Sequence, residues 1–124
     1  MKTIIADDSR IMRKVLSSIS REVGNDPIAE AANGPEAVEL CRKYKPDLVI
    51  LDNTMTGGNG EQAASEILNE NLASIVALIS QDARGSNAFP ELVKRGVLVL
   101  GKPCDDQQIR AFLQGIKATY AVDA

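Results

Sequence analysis

Five residues constrain this chain more than any others: Leu48-Val49-Ile50-Leu51-Asp52, an unbroken apolar run that closes on a single carboxylate. A run this short and β-branched, set between Pro46-Asp47 and the glycines Gly57, Gly58 and Gly60, reads as a strand covered on both faces. Such a strand belongs to a parallel sheet with helices on either side, and it puts Asp52 at the strand's C-terminal end. In open α/β sheets ligands bind outside those ends, near the point where strand order reverses. A helix-capping or loop aspartate is the bland alternative. The site reading is preferred because other strands deliver matching groups to the same edge.

Lys2 to Ala6 forms a short first strand that ends at the acid pair Asp7-Asp8. Ser9 is placed to cap a helix whose apolar stripe is Ile11, Met12, Val15, Leu16, Ile19 and Val23, with Arg10, Arg13 and Lys14 facing away. Gly24-Asn25 stops that helix and Asp26-Pro27 turns the chain into a weaker, edge-like strand over 28–31. Asn33-Gly34-Pro35 opens a second helix with an inner stripe of Ala37, Val38, Cys41 and Tyr44. After Asp52, Asn59 with Gln62 resembles a capping box for a third helix carried by Ala63, Ala64, Ile67 and Leu68. Ser74 to Ile79 is a fourth buried strand ending at Ser80, and Pro90 starts a short fourth helix anchored by Leu92 and Val93. Val97 to Leu100 is the fifth strand, followed by Gly101-Lys102-Pro103. Asp105 or Asp106 then caps a last helix packed through Ile109, Phe112, Leu113, Ile116 and Tyr120. Strands alternating with helices under right-handed crossovers give an α/β (βα)5 fold, a doubly wound five-stranded parallel sheet.

At 124 residues the chain is expected to form one domain over 1–124, and the residues after Tyr120 are too few for another. The 14 basic and 17 acidic residues argue against a nucleic-acid or membrane binder that needs a basic face. With no signal-peptide pattern and no apolar run near the ~18 residues of a membrane span, a cytoplasmic location is the expectation. Cys41 and Cys104 lack the spacing of a zinc site, and Cys41 reads as core. Cys104, beside Pro103, is expected to be a packing or surface residue rather than a reactive thiol. The chain contains no histidine, so any phosphohistidine must come from a partner.

Asp7, Asp8, Asp52, Ser80 and Lys102 thus meet at one sheet edge. Three carboxylates in one pocket repel, and without a cation at least one should bind its proton more readily than a free acid. Mg²⁺ suits a few carboxylates plus a phosphoryl oxygen, because it keeps octahedral oxygen coordination and several waters. With the charge neutralised, Asp52 can attack phosphorus to give an acyl phosphate, Lys102 can pair the developing charge, and Ser80 can donate to a phosphoryl oxygen.

Over essentially its whole length the sequence resembles the response regulator receiver domain family. The Asp7-Asp8 pair, Asp52 followed by Met55 and Gly60, Ser80 after an apolar strand, and Lys102-Pro103 carry the likeness in order and spacing. Asp7 to Arg13 looks particularly like the chemotaxis-type, CheY-like receivers. The resemblance implies strand order 2-1-3-4-5 and a cis Lys102-Pro103 bond. It implies that Asp52 is the phosphoacceptor for a sensor histidine kinase, that Asp7, Asp8, Asp52 and the backbone carbonyl of Thr54 hold Mg²⁺, and that Ser80 and Lys102 bind the phosphoryl group. A monomer is expected, switching a downstream partner through its fourth helix, fifth strand and fifth helix.

Three departures stand out: Thr56 replaces the family's usual proline, Val99 replaces the usual switch aromatic, and the segment from Gly96 to Lys102 is slightly short. Without that ring, coupling to the fifth-strand surface is absent or rerouted. The output could be a flagellar switch, a relay phosphotransferase, or none beyond a kinase for which the domain is a phosphate sink. Thr54 and Asp82, flanking the site, are the side chains expected to set the acyl phosphate lifetime. An aspartyl-phosphate phosphatase would want a second acid where Thr54 stands, and a flavodoxin-like flavin carrier would want aromatics that a 3% content does not supply.

Overall fold

The structure, a computed structural model, describes residues 1–55, 60–81 and 89–120. Ten elements alternate: β1 (Lys2–Ala6), α1 (Arg10–Glu22), β2 (Asp26–Ala31), α2 (Gly34–Tyr44), β3 (Leu48–Asp52), α3 (Gly60–Asn69), β4 (Ile75–Ser80), α4 (Pro90–Lys94), β5 (Leu98–Gly101) and α5 (Asp106–Tyr120). All pairings are parallel and the strand order is β2-β1-β3-β4-β5, as the resemblance implies. The reversal of order falls between β1, which leads directly into Asp7, and β3, which ends on Asp52.

Every residue of β3 and of β4 is buried, because both faces of the sheet are covered. Alternate side chains feed two cores. Ile4, Val49, Leu51, Val76 and Leu78 face α2 and α3, through Ala37, Val38, Cys41, Ala63, Ala64 and Ile67. Ile5, Leu48, Ile50, Ala77 and Ile79 face α1 and α5, through Leu16, Ile19, Ile109, Leu113 and Ile116. Period-two alternation inside an unbroken apolar run is what lets one strand serve both layers.

The local signals hold at most boundaries. Ser9 Oγ accepts the Met12 N–H at 3.2 Å, and Asn33 Oδ1 accepts the Glu36 N–H at 2.8 Å. Asp105, rather than Asp106, caps α5: its carboxylate accepts the Gln108 N–H while Gln108 Oε1 accepts the Asp105 N–H, both at 2.8 Å.

Several expectations need correction. Asp26-Pro27 is not a turn but the start of β2, where the Asp26 N–H donates to the Met1 carbonyl and the missing Pro27 donor is tolerated on an edge strand. A register shift between Thr3 and Ile4 takes up the irregularity. Ile11 leaves the core stripe of α1 and is 76% exposed, since it lies about 140° around the helix from Leu16 at 100° per residue. Ser17 and Ser20 take the buried positions instead. Arg13 does not face away, because it falls on the Ser17–Ser20 stripe and turns toward β2. Tyr44, Val93 and Tyr120 are exposed; the first and last stand at helix ends, and α4 is so short that only its Leu92 is buried. The Asn59 part of the capping box, Thr56 and Asp82 lie outside the described residues.

Candidate functional site

Asp7 and Asp52 are placed at the carboxyl edge by main-chain bonds. Directly after β1, the Asp7 N–H donates to the Ala31 carbonyl at 3.0 Å, continuing the ladder to β2 one residue past the strand. Its carboxylate accepts the Ser9 N–H at 2.8 Å, and its carbonyl accepts from Arg13 Nη1 at 2.7 Å. Asp7 is buried while Asp8 is exposed. Asp52, in register with Ile79, is also buried. One oxygen each from Asp7, Asp8 and Asp52 lie within 4.8 Å of one another.

Lys102 Nζ donates to Asp52 Oδ1 at 2.5 Å across the edge. The Lys102 N–H donates to the Ser80 carbonyl at 3.0 Å, so the two residues share the last rung between β4 and β5. Ser80 is 1% exposed, and the Lys102-Pro103 bond is cis. The five side chains expected at the site thus all reach one edge, and Thr54 follows Asp52 at two residues' distance with its own side chain exposed.

Among the described residues the edge holds three acids and one ammonium. The Asp7 carboxyl is held above the ordinary range, chiefly by burial and further by the charges of Asp52 and Asp8; the Ser9 N–H and Lys102 pull the other way. The test for a cation is the convergence of three carboxylate oxygens within 4.8 Å, and the residues fit one. All donors are oxygens, which suits a hard ion such as Mg²⁺, and a divalent ion would relieve the repulsion that Asp52 and Asp8 add to the effect of burial at Asp7.

Two residues escape sequence reasoning. Asn53 follows the acid and is buried; its N–H donates to the Ile79 carbonyl at 2.9 Å, its carbonyl accepts the Gly60 N–H at 3.0 Å, and its Oδ1 accepts the Glu61 N–H at 3.1 Å. The α3 N-terminus is therefore tied directly to the residue after Asp52. Gly60 permits that closeness, for a Cβ there would stand 2.5 Å from the Asp52 carbonyl oxygen. Arg13 is the other, detectable in principle from its i, i+4, i+7 spacing with the two small serines. Cys104 is partly buried against the α5-side core and burial raises its thiol pKa, while burial pushes Cys41 up to about 12; neither is an activated nucleophile.

Together the strand order and this edge define a doubly wound α/β protein with an oxygen-rich, lysine-paired site at its switch point. The profile of the response regulator receiver domain family matches residues 3–114, and the chain belongs to that family. The transcriptional regulatory protein PdtaR of Mycobacterium tuberculosis is 40% identical over 100 residues, covering 75% of this chain and 49% of that protein. This chain thus spans about half the length of that curated relative. Among solved structures, the response regulator domain of Thermotoga maritima CheB superposes with a TM-score of 0.84 at 26% identity, covering 100% of this chain and 98% of that one. The CheX-CheY-BeF3-Mg²⁺ complex from Borrelia burgdorferi gives 0.81 at 28% identity, covering 98% and 90%. No helix among the described residues is long and apolar enough to cross a membrane.

Proposed function

We propose that this chain is a phosphorylation-controlled switch in which Asp52 takes a phosphoryl group from the phosphohistidine of a sensor histidine kinase. The observation that carries the proposal is the meeting of three carboxylates within 4.8 Å and a lysine bonded to Asp52, delivered by the ends of β1, β3 and β5. The likeness to a CheY solved with BeF3 and Mg²⁺ supports it. A carboxylate oxygen of Asp52 attacks phosphorus, the P–N bond to the donor imidazole breaks, and the imidazole leaves with that electron pair and is protonated from solvent. The product is an acyl phosphate on Asp52.

Asp7, Asp8, Asp52 and the Thr54 carbonyl are the groups that would hold Mg²⁺, which screens the approach of an anionic donor to an anionic acceptor. Lys102, already on Asp52, pairs the charge that develops on the transferred group, and the Ser80 hydroxyl donates to one of its oxygens. Engagement of Ser80 and Lys102 would favour one arrangement of the chain beyond them, the face formed by α4, β5 and α5, which a downstream protein reads. There is no turnover substrate in this scheme: the protein promotes its own phosphorylation and hydrolysis, in the cytoplasm, as a monomer.

Intact mass after incubation with acetyl phosphate tests the proposal. A phosphoryl adduct on wild type with Mg²⁺, absent with chelator and absent from Asp52→Asn, is the expected result. No adduct under any condition would leave a phosphorylation-independent binding module.

A further inference from the structure

Arg13 is the one basic residue of the first turn of α1 that is drawn inward; its side chain is only 17% exposed. Its guanidinium makes two separate contacts: Nη1 donates to the Asp7 carbonyl at 2.7 Å, and Nε lies 3.3 Å from Glu30 Oε1 on β2. Glu30 is held in turn, since its other oxygen accepts from the Ser17 hydroxyl at 3.2 Å. A chain of side chains therefore runs from α1 through the edge strand β2 and back to the main chain of the buried acid.

Asp7 needs such a support for a physical reason. It is the first residue beyond β1, where the ladder ends after one more bond to Ala31. The peptide on its N-terminal side is fixed by that bond. The peptide on its C-terminal side carries the carbonyl to which Arg13 bonds, and it leads directly to Asp8. Repulsion among the three carboxylates pushes this turn outward, away from Asp52. A planar guanidinium that bonds the carbonyl and an acid on another strand at once resists that displacement in a way a solvated charge does not.

We propose that Arg13, seated by Glu30, is a positioning residue that holds the Asp7-Asp8 turn at the separation a divalent cation requires, an inference that rests on the receiver chemistry proposed above. At the site itself Arg13 bonds the Asp7 carbonyl and not its carboxylate. It acts through the backbone of Asp7, as outer groups around a metal site orient its ligands.

The test is calorimetric titration of Mg²⁺ into the unphosphorylated protein, together with the Mg²⁺ dependence of adduct formation from acetyl phosphate. Arg13→Gln should weaken Mg²⁺ binding by about 10-fold, the scale on which outer-shell groups act. The adduct rate should fall at low Mg²⁺ and recover toward wild type at saturating Mg²⁺. Glu30→Gln should shift both in the same direction by less, and Arg13→Lys, which lacks the fork, should recover only part of the loss. A merely structural Arg13 would change the melting temperature and leave Mg²⁺ affinity within twofold of wild type, which would overturn the inference. Should Arg13→Gln fail to fold, Glu30→Gln decides on the same criterion. Wild type that forms no adduct and binds no Mg²⁺ would bring down the function itself, whereas a competent wild type matched by both variants would bring down only the role of Arg13.

Discussion

Two glycine-to-alanine substitutions, identical in chemistry, should move stability in opposite directions. At Gly60 a Cβ would stand 2.5 Å from the Asp52 carbonyl oxygen and 3.0 Å from both the Asp52 carbonyl carbon and Asn53 Cα. All three are backbone atoms of the strand end and cannot swing aside as a side chain would. Overpacking of this kind costs about 1–3 kcal/mol. Against it stands part of the helix-propensity gain of alanine over glycine, about 0.8–1 kcal/mol in a helix interior and less at a first residue. A net loss of about 1–2 kcal/mol follows. At Gly115, inside α5, a Cβ meets nothing within 4 Å, so the propensity gain stands alone. An unfolding entropy of about 2.1 cal/mol/K per residue makes 1 kcal/mol worth about 4 °C in a chain of 124 residues. Thermal unfolding followed by far-ultraviolet circular dichroism should therefore show Gly60→Ala melting about 4–8 °C below wild type and Gly115→Ala about 3–4 °C above it. Gly60→Ala should also slow adduct formation at Asp52, because the clash is with the acceptor's own carbonyl. A Gly60→Ala protein as stable as wild type would refute the close docking of α3 on the end of β3.

The raised pKa of Asp7 means that folding of the metal-free protein is favoured by protonation and loses that favour as pH rises from about 3.8 through the folded-state value. Asp7→Asn abolishes this loss. In urea unfolding with chelator, its stability advantage over wild type should widen between about pH 4 and pH 7, and a gap that stays constant would contradict the assigned burial. Added Mg²⁺ should then stabilise wild type and not the variant. At the opposite end of the sheet the Ser20 hydroxyl is fully buried and has no hydrogen-bond partner among the described residues. Ser20→Ala should raise stability by about 1 kcal/mol in the same assay, and a loss of that size would show that the hydroxyl is bonded after all.

The strands and their terminal polar groups were legible because burial on both faces writes itself as short apolar runs, and each run stops at a residue that cannot be buried cheaply. Leu48 to Asp52 is the clearest instance: the run and the observed strand have the same bounds. Asp7, Asp8, Asp52, Ser80 and Lys102 followed once those ends were located. What periodicity could not show is how side chains pair across elements. Arg13 looks like any surface arginine until β2 places Glu30 beside it, and Asn53 looks like a loop residue until α3 docks on it. Ile11 misled because an apolar residue near a helix start matches a three-four spacing to its nearest neighbours while lying far round from the helix's buried centre. Asp26-Pro27 misled because local turn chemistry is overridden when the Met1 carbonyl offers a ladder bond.

The rung shared by Ser80 and Lys102 sets a ruler for whatever binds. Since the Lys102 N–H closes on the Ser80 carbonyl, the stems of the hydroxyl and the ammonium are spaced by sheet geometry rather than by a loop. An occupant must therefore match a gauge fixed by backbone pairing. Adjustment within it falls to the torsions of the two side chains, so at this edge the size of an occupant counts beside its charge.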